Sequence, residues 1–115
     1  MFVSHVDRIE KIPMPIPGAS NVMKQLLVGR EEGWTDHAMR LFTVGKGGNT
    51  PKHSHPWPHI NYIVSGRGEL LIGDKTHEVQ AGSVAFVPDD AEHQFRNLTD
   101  EDFVFICIVP NRGEY

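Results

Sequence analysis

Eleven glycines and eight prolines punctuate this chain of 115 residues and cut it into short apolar runs. Runs of that length between turn residues suit the strands of a barrel or sandwich, and none carries a convincing helical pattern. The chain is therefore read as all-β. Residues 1–20 are expected to form an irregular arm, since Ile12-Pro13-Met14-Pro15-Ile16-Pro17-Gly18 suits neither a helix nor a central strand. Residues 22–29 read as an edge strand, and residues 38–44 as a stronger one stopped by Gly45-Lys46-Gly47-Gly48. A histidine strand follows, then a Pro56-Trp57-Pro58 kink and a strand over residues 59–64. Ser65-Gly66-Arg67-Gly68 is expected to close a hairpin into residues 69–72, and Gly73-Asp74-Lys75 to turn into residues 76–79. Residues 83–87, 93–96 and 103–109 complete the series. Internal repeats and low-complexity tracts are absent from the sequence.

The length suits one domain, residues 1–115, with a single hydrophobic core. Charged residues make up 23% and the net charge is −4, which argues against nucleic acid or an acidic membrane surface as the main partner. No apolar run approaches a membrane span, and Asp7, Arg8, Glu10 and Lys11 leave no signal-peptide pattern at the start. The single cysteine, Cys107, excludes an intrachain disulfide framework and fits a reducing, cytoplasmic setting. Apolar edges on the arm and on the 22–29 strand point to a homodimer that covers them.

Four of the seven histidines sit where a metal ion would want them. Three fall in His53-Ser54-His55-Pro56-Trp57-Pro58-His59, and the fourth is His93. His53 and His55, two apart, would leave one face of a strand together. The proline-bracketed kink would return His59 over the same space. His5, His37 and His77 have no partner at ligand spacing and read as surface residues.

The spacing of these residues resembles the cupin family. The first cupin motif, G-x5-H-x-H-x3-E-x6-G, is matched by Gly47, His53, His55, His59 and Gly66, with His59 in place of the glutamate. The second, G-x5-P-x-G-x2-H-x3-N, is matched by Gly82, Pro88, His93 and Asn97, with Asp90 in place of a glycine. The resemblance implies a double-stranded β-helix, a small jelly-roll barrel over about residues 38–110, with a metal inside its mouth. Within the family the chain is similar to small four-histidine, manganese-type cupins. That likeness implies His53, His55, His59 and His93 as ligands of one divalent ion. It also implies Phe105 and Cys107 beside the metal. His59 is flanked here by Pro58 and Ile60, where those relatives carry acidic residues.

Four imidazoles leave the ion its full +2 charge and make it a stronger Lewis acid than three imidazoles with a carboxylate. Mn, Fe, Ni, Zn and Cu are all candidates, and Mn or Fe is favoured. A closed tetrahedral site would be structural, whereas an open six-coordinate one would leave two positions for substrate and oxidant. Phe95 lies two residues after His93 and shares its face, and Phe105 alternates with Cys107 on the last strand. Trp57 either lines the mouth or covers the barrel end. Arg40, on an otherwise apolar strand, reads as an inward anion clamp. Together these residues outline a pocket for a small, partly apolar organic molecule. The expected function is a metal-dependent oxidoreductase of dioxygenase type. The alternatives are a non-redox lyase, isomerase or hydrolase, and a small-molecule sensor without turnover.

Overall fold

The computed structural model describes residues 1–14 and 16–115. Its strands are β1 (Ile12–Pro13), β2 (Ser20–Val28), β3 (His37–Asn49), β4 (His59–Ser65), β5 (Arg67–Ile72), β6 (Lys75–Gln80), β7 (Val84–Val87), β8 (His93–Arg96) and β9 (Phe103–Pro110). Short 3-10 turns at Val6–Arg8, Arg30–Glu32 and Asn111–Gly113 are the helical elements among the described residues. No helix there is long and apolar enough to cross a membrane.

All pairings are antiparallel, in the order β6-β5-β8-β3-β9-β4-β7, with β2 added to β3 and β1 to β2. The sheet curls into a jelly-roll barrel. Burial alternates along the strands as the pleat demands: Phe103, Phe105, Cys107 and Val109 on β9, and His59, Asn61 and Ile63 on β4. These inward residues meet Ala38, Phe42 and Val44 of β3, Leu70 of β5 and Phe95 of β8 in one core. The four core phenylalanines gather around Phe105, Phe95 stacking on it with ring centroids 4.1 Å apart, Phe103 at 5.4 Å and Phe42 at 5.5 Å.

Three local expectations are corrected. First, Gly45-Lys46-Gly47-Gly48 does not stop the third strand, which continues to Asn49 and passes from β9 to β8 as its partner. The glycines permit the bend, and Asn97 holds it. Fully buried, Asn97 donates through Nδ2 to the carbonyls of Val44, Gly45 and Glu101 at 2.7–3.1 Å. Second, Ser65-Gly66-Arg67-Gly68 is not a hairpin. β4 pairs with β7 and β9, whereas β5 pairs with β6 and β8, so the chain crosses between distant parts of the curled sheet at Gly66. Gly66 has φ +78°, and a Cβ there would collide with the carbonyl oxygen of Asp102, so the crossing needs glycine on two counts. Third, no strand carries His53 and His55. His53 makes only an isolated bridge to His93, and the surrounding loop places both rings.

The 22–29 strand lies at the edge as expected, covered only where β1 pairs Ile12 with Lys24 and Pro13 with Met23. The arm is tied further by Gln25, whose amide donates to the carbonyls of Val6 and Ile9 at 2.8 and 3.0 Å. Pro15 of the arm lies outside the described residues. A different apolar surface is open: Ile60, Tyr62 and Val64 of β4 and Val84 and Phe86 of β7 are exposed on one face, with Ile60 opposite Phe86 and Tyr62 opposite Val84.

Candidate metal centre

His53 and His93 are joined through their backbones, His53 N–H donating to the His93 carbonyl at 3.1 Å and His93 N–H to that of His53 at 2.9 Å. Their rings stand 4.8 Å apart between centroids. The loop then brings back His55, whose carbonyl accepts from Asp90 N–H at 2.8 Å. Asp90 occupies the motif's glycine position with φ +64°, a left-handed conformation that aspartate tolerates better than most residues. His59 opens β4 opposite Val87 of β7, and His93 opens β8 opposite Ile72 of β5. The four rings therefore come from two strands, β4 and β8, and a loop. The ligating nitrogens of His53, His55 and His93 lie within 4.8 Å of one another, and His59 Nε2 is 3.1 Å from His93 Nε2.

Hydrogen bonds select which nitrogen is bare on three of the four rings. His55 Nδ1 faces the Trp57 carbonyl at 2.8 Å, His59 Nδ1 faces Asn61 Oδ1 at 2.6 Å, and His93 Nδ1 faces the Ala91 carbonyl at 2.9 Å. Asn61 is oriented in turn by its amide, which donates to the Ile106 carbonyl at 3.2 Å. An acceptor at Nδ1 demands Nδ1–H, and in a neutral ring this leaves Nε2 as a lone pair. The 3.1 Å contact between His59 and His93 is then two lone pairs facing each other. Such a pair repels unless a cation lies between, and two nitrogens bound at about 2.1 Å to one ion stand about 3.0–3.4 Å apart. The cluster of His53, His55 and His93 fits a cupin metal site, and the donor chemistry suits a divalent ion.

Burial lowers all four imidazoles below their ordinary value of 6.5, with His59 and His93 brought to about 4. Hydrogen bonds to Asn61 and to the Ala91 carbonyl oppose that shift without reversing it. The rings are thus neutral and ready to bind metal at neutral pH. In metal-free protein, acidification from 6.5 to about 4 protonates these histidines in the unfolded chain before the folded one. Stability is therefore full above 6.5 and falls as pH drops through that window. Thermal denaturation of the metal-free protein should show a melting temperature that declines across it, with a shallower slope in His93→Gln.

The rings open onto a cavity of about 330 Å³ lined by Arg40, Phe42, Trp57, Asn61, Phe95, Phe105 and Cys107. Phe95, Phe105 and Cys107 are buried on its wall. Trp57 stacks on His55, with centroids 4.6 Å apart and planes 6° from parallel. Arg40 reaches inward and donates through Nη2 to Cys107 Sγ at 3.0 Å, as expected from their pairing across β3 and β9. His5, His37 and His77 are exposed. A broader depression of about 440 Å³, lined by Arg67, Glu69, Glu78 and Thr99 among others, holds none of the histidines.

Several residues at this site escaped the sequence reading, Phe42, Asn61, Met14 and Glu114 among them. Asn61 was findable, since it lies two residues after His59 and shares its inward parity. Met14 lines the cavity from the arm, and Glu114 reaches Arg40 from the segment after β9. Neither of these two lies near a motif.

The Cupin domain family model matches residues 40–109. The 1-methylthio-D-xylulose 5-phosphate methylsulfurylase of Rhodospirillum rubrum is 34% identical over 71 residues, 62% of this chain and 46% of that one. The polyketide synthase CurC of Streptomyces cyaneus is 31% identical over 81 residues, 70% of this chain and 53% of that one. The chain therefore spans about half the length of these relatives. The solved structure of the polyketide cyclase RemF from Streptomyces resistomycificus superposes with a TM-score of 0.91 at 27% identity, over 96% of this chain and 79% of that one. With the motif spacing, the jelly-roll barrel and the family match over residues 40–109 in agreement, the chain belongs to the cupin family.

Proposed function

We propose that this chain is a metal-dependent enzyme in which His53, His55, His59 and His93 hold one divalent ion beside a pocket for a small, partly apolar organic molecule. The observation that carries this reading is the facing pair of Nε2 lone pairs on His59 and His93. A bound ion supplies Lewis-acid polarisation of an oxygen on the substrate and, if it is Mn or Fe, a redox centre. The chain's residues do the rest. The Nδ1–H bonds to Asn61 and to the Trp57 and Ala91 carbonyls hold the rings of His55, His59 and His93 in one tautomer. Phe42, Phe95 and Phe105 exclude water from one wall and orient an apolar group.

The non-redox branch has the better support. The matched relatives are named as a methylsulfurylase, a polyketide synthase and a polyketide cyclase, and none of these is the name of an oxygenase. The dioxygenase branch keeps one observation in its favour. No carboxylate or tyrosine is among the described residues lining the cavity, so the wall itself offers no carboxylic acid–base pair. A Co²⁺-substituted protein tests the shared premise of an open site. Added pyruvate should shift its visible bands, whereas a tetrahedral spectrum indifferent to pyruvate would mark a closed structural site. Consumption of O₂ by Mn- or Fe-loaded protein with a panel of small aromatic substrates then separates the branches.

Asn61 should matter to the ion without touching it. Asn61→Ala removes the acceptor that orients His59, and metal affinity measured by chelator competition should weaken about 10–100-fold. Asn61→Asp, which keeps an acceptor, should retain most of it. We also read the chain as a homodimer. The exposed face of Ile60, Tyr62, Val64, Val84 and Phe86 supports this better than the 22–29 edge does. The free, buried Cys107 suits a reducing, cytoplasmic setting.

A further inference from the structure

Behind Arg40, which lines the cavity, two cations meet one carboxylate, all three largely buried. Arg40 of β3 has a side chain 12% exposed, Lys24 of β2 19%, and Glu114 8%. Glu114 Oε2 accepts from Lys24 Nζ at 2.6 Å, and its Oε1 accepts from Arg40 Nη1 at 3.3 Å. Arg40 Nη2 has only the weak sulfur acceptor of Cys107, and Arg40 Nε is buried without a hydrogen-bond partner among the described residues. The cluster is thus one positive charge in excess, beside four neutral imidazoles, with guanidinium donors left unmade. A buried donor without a partner is costly, so this arrangement does not use the guanidinium fully. The carboxylate comes from outside the sheet. Glu114 follows the last 3-10 turn, Asn111–Gly113, where Gly113 packs against Trp57. The segment is pinned beyond Glu114 by Tyr115, whose hydroxyl accepts from Arg30 N–H at 3.1 Å and whose ring lies under the Arg30 guanidinium at 3.8 Å.

We propose that Arg40 and Lys24 form the binding site for the acid group of an anionic substrate, and that Glu114 occupies that site until the substrate displaces it. A planar carboxylate or a phosphate ester matches the guanidinium fork and can engage donors that Glu114 leaves free. The apolar remainder of such a molecule would lie against Phe42, Phe95 and Phe105, which all line the same cavity as Arg40. The tethered Glu114 competes at a high effective concentration, so its charge masks the site's affinity for free acids. The proposal rests on reading the cavity as a substrate pocket, and not on which metal is held.

Calorimetric titration with benzoate, phenyl phosphate and the neutral benzyl alcohol tests it, using both metal-loaded and metal-stripped protein. Glu114→Gln should tighten benzoate or phenyl phosphate binding about tenfold or more in both forms, and leave benzyl alcohol unchanged. The stronger of the two acids identifies the acid class. Lys24→Met in the Glu114→Gln background should reverse that gain, and it removes a side chain at the sheet edge rather than one in the core. Arg40→Gln should reverse it more completely. If Glu114→Gln leaves acid affinity unchanged or lowers it, or tightens benzyl alcohol equally, the proposal is overturned. Acid binding that vanishes with the metal and ignores Glu114→Gln overturns it too, by placing the acid on the ion, and leaves the metal-centred reading standing. Loss of acid binding in every form, with benzyl alcohol still bound, overturns the proposal alone. Loss of all three ligands overturns the substrate pocket itself.

Discussion

Replacing His55 with alanine is expected to strip the protein of metal while leaving the barrel folded. His55 is half-buried on a loop, outside the core cluster, and its side-chain contacts are the other histidines, the Trp57 ring and the Trp57 carbonyl. Its loss removes a lone pair from the cluster. Mutating partners that only orient metal ligands costs about 10–100-fold in affinity, so losing a ligand should weaken binding by about 100-fold or more. Elemental analysis after gel filtration should show occupancy falling to a small fraction of the wild-type value. Circular dichroism should keep its β signature, because the stacking lost on Trp57 is worth only about 1 kcal/mol. Full stoichiometric metal in His55→Ala would remove this residue from the site.

Phe105→Ala should do the opposite, sparing the metal ligands and damaging the fold. Phe105 is 2% exposed and its ring meets Phe42, Phe95 and Phe103. Truncating a phenylalanine so enclosed costs about 3–5 kcal/mol, a large share of the roughly 5–15 kcal/mol that holds a domain of this kind together. Chemical denaturation should show that loss directly. Phe105→Leu fills most of the space and should cost much less. In that variant the change can be followed in the binding of an apolar ligand, because the protein remains folded and the histidines are unaltered. A Phe105→Ala protein of wild-type stability would mean that the ring is not part of the shared wall between core and cavity.

The position of the four histidines was legible because motif spacing is a local property. Five residues from Gly47 to His53, one to His55 and three to His59 can be counted without knowing the sheet order. Parity was legible for the same reason. On a pleated strand His93 and Phe95 must share a face, as must Phe105 and Cys107, and both pairs are buried. The errors fell where local signals conflict with long-range partners. Glycines at 45, 47 and 48 read as a stop, but Asn97, at the end of the neighbouring β8 and about fifty residues on in sequence, ties the chain there and the strand runs on. Gly66 reads as a hairpin, but the partners of β4 and β5 lie in different parts of the sheet. His53 and His55 read as strand residues, but proline-flanked chain cannot donate fully to a ladder, and a single bridge to His93 was left.

By itself, then, the sequence determined an all-β chain, the histidine pattern and the inward parity of His93 with Phe95 and of Phe105 with Cys107. These follow from period and spacing along the chain, while the barrel came with the cupin resemblance. Only the tertiary structure decided which nitrogen His55, His59 and His93 offer, because the acceptors that set their tautomers, at Trp57, Asn61 and Ala91, act through geometry rather than residue type. It also decided that Glu114 meets Lys24 across 90 residues and Arg40 across 74. Contacts at that separation form when the sheet closes and brings β2, β3 and the end of β9 together, and no local pattern in the chain encodes them.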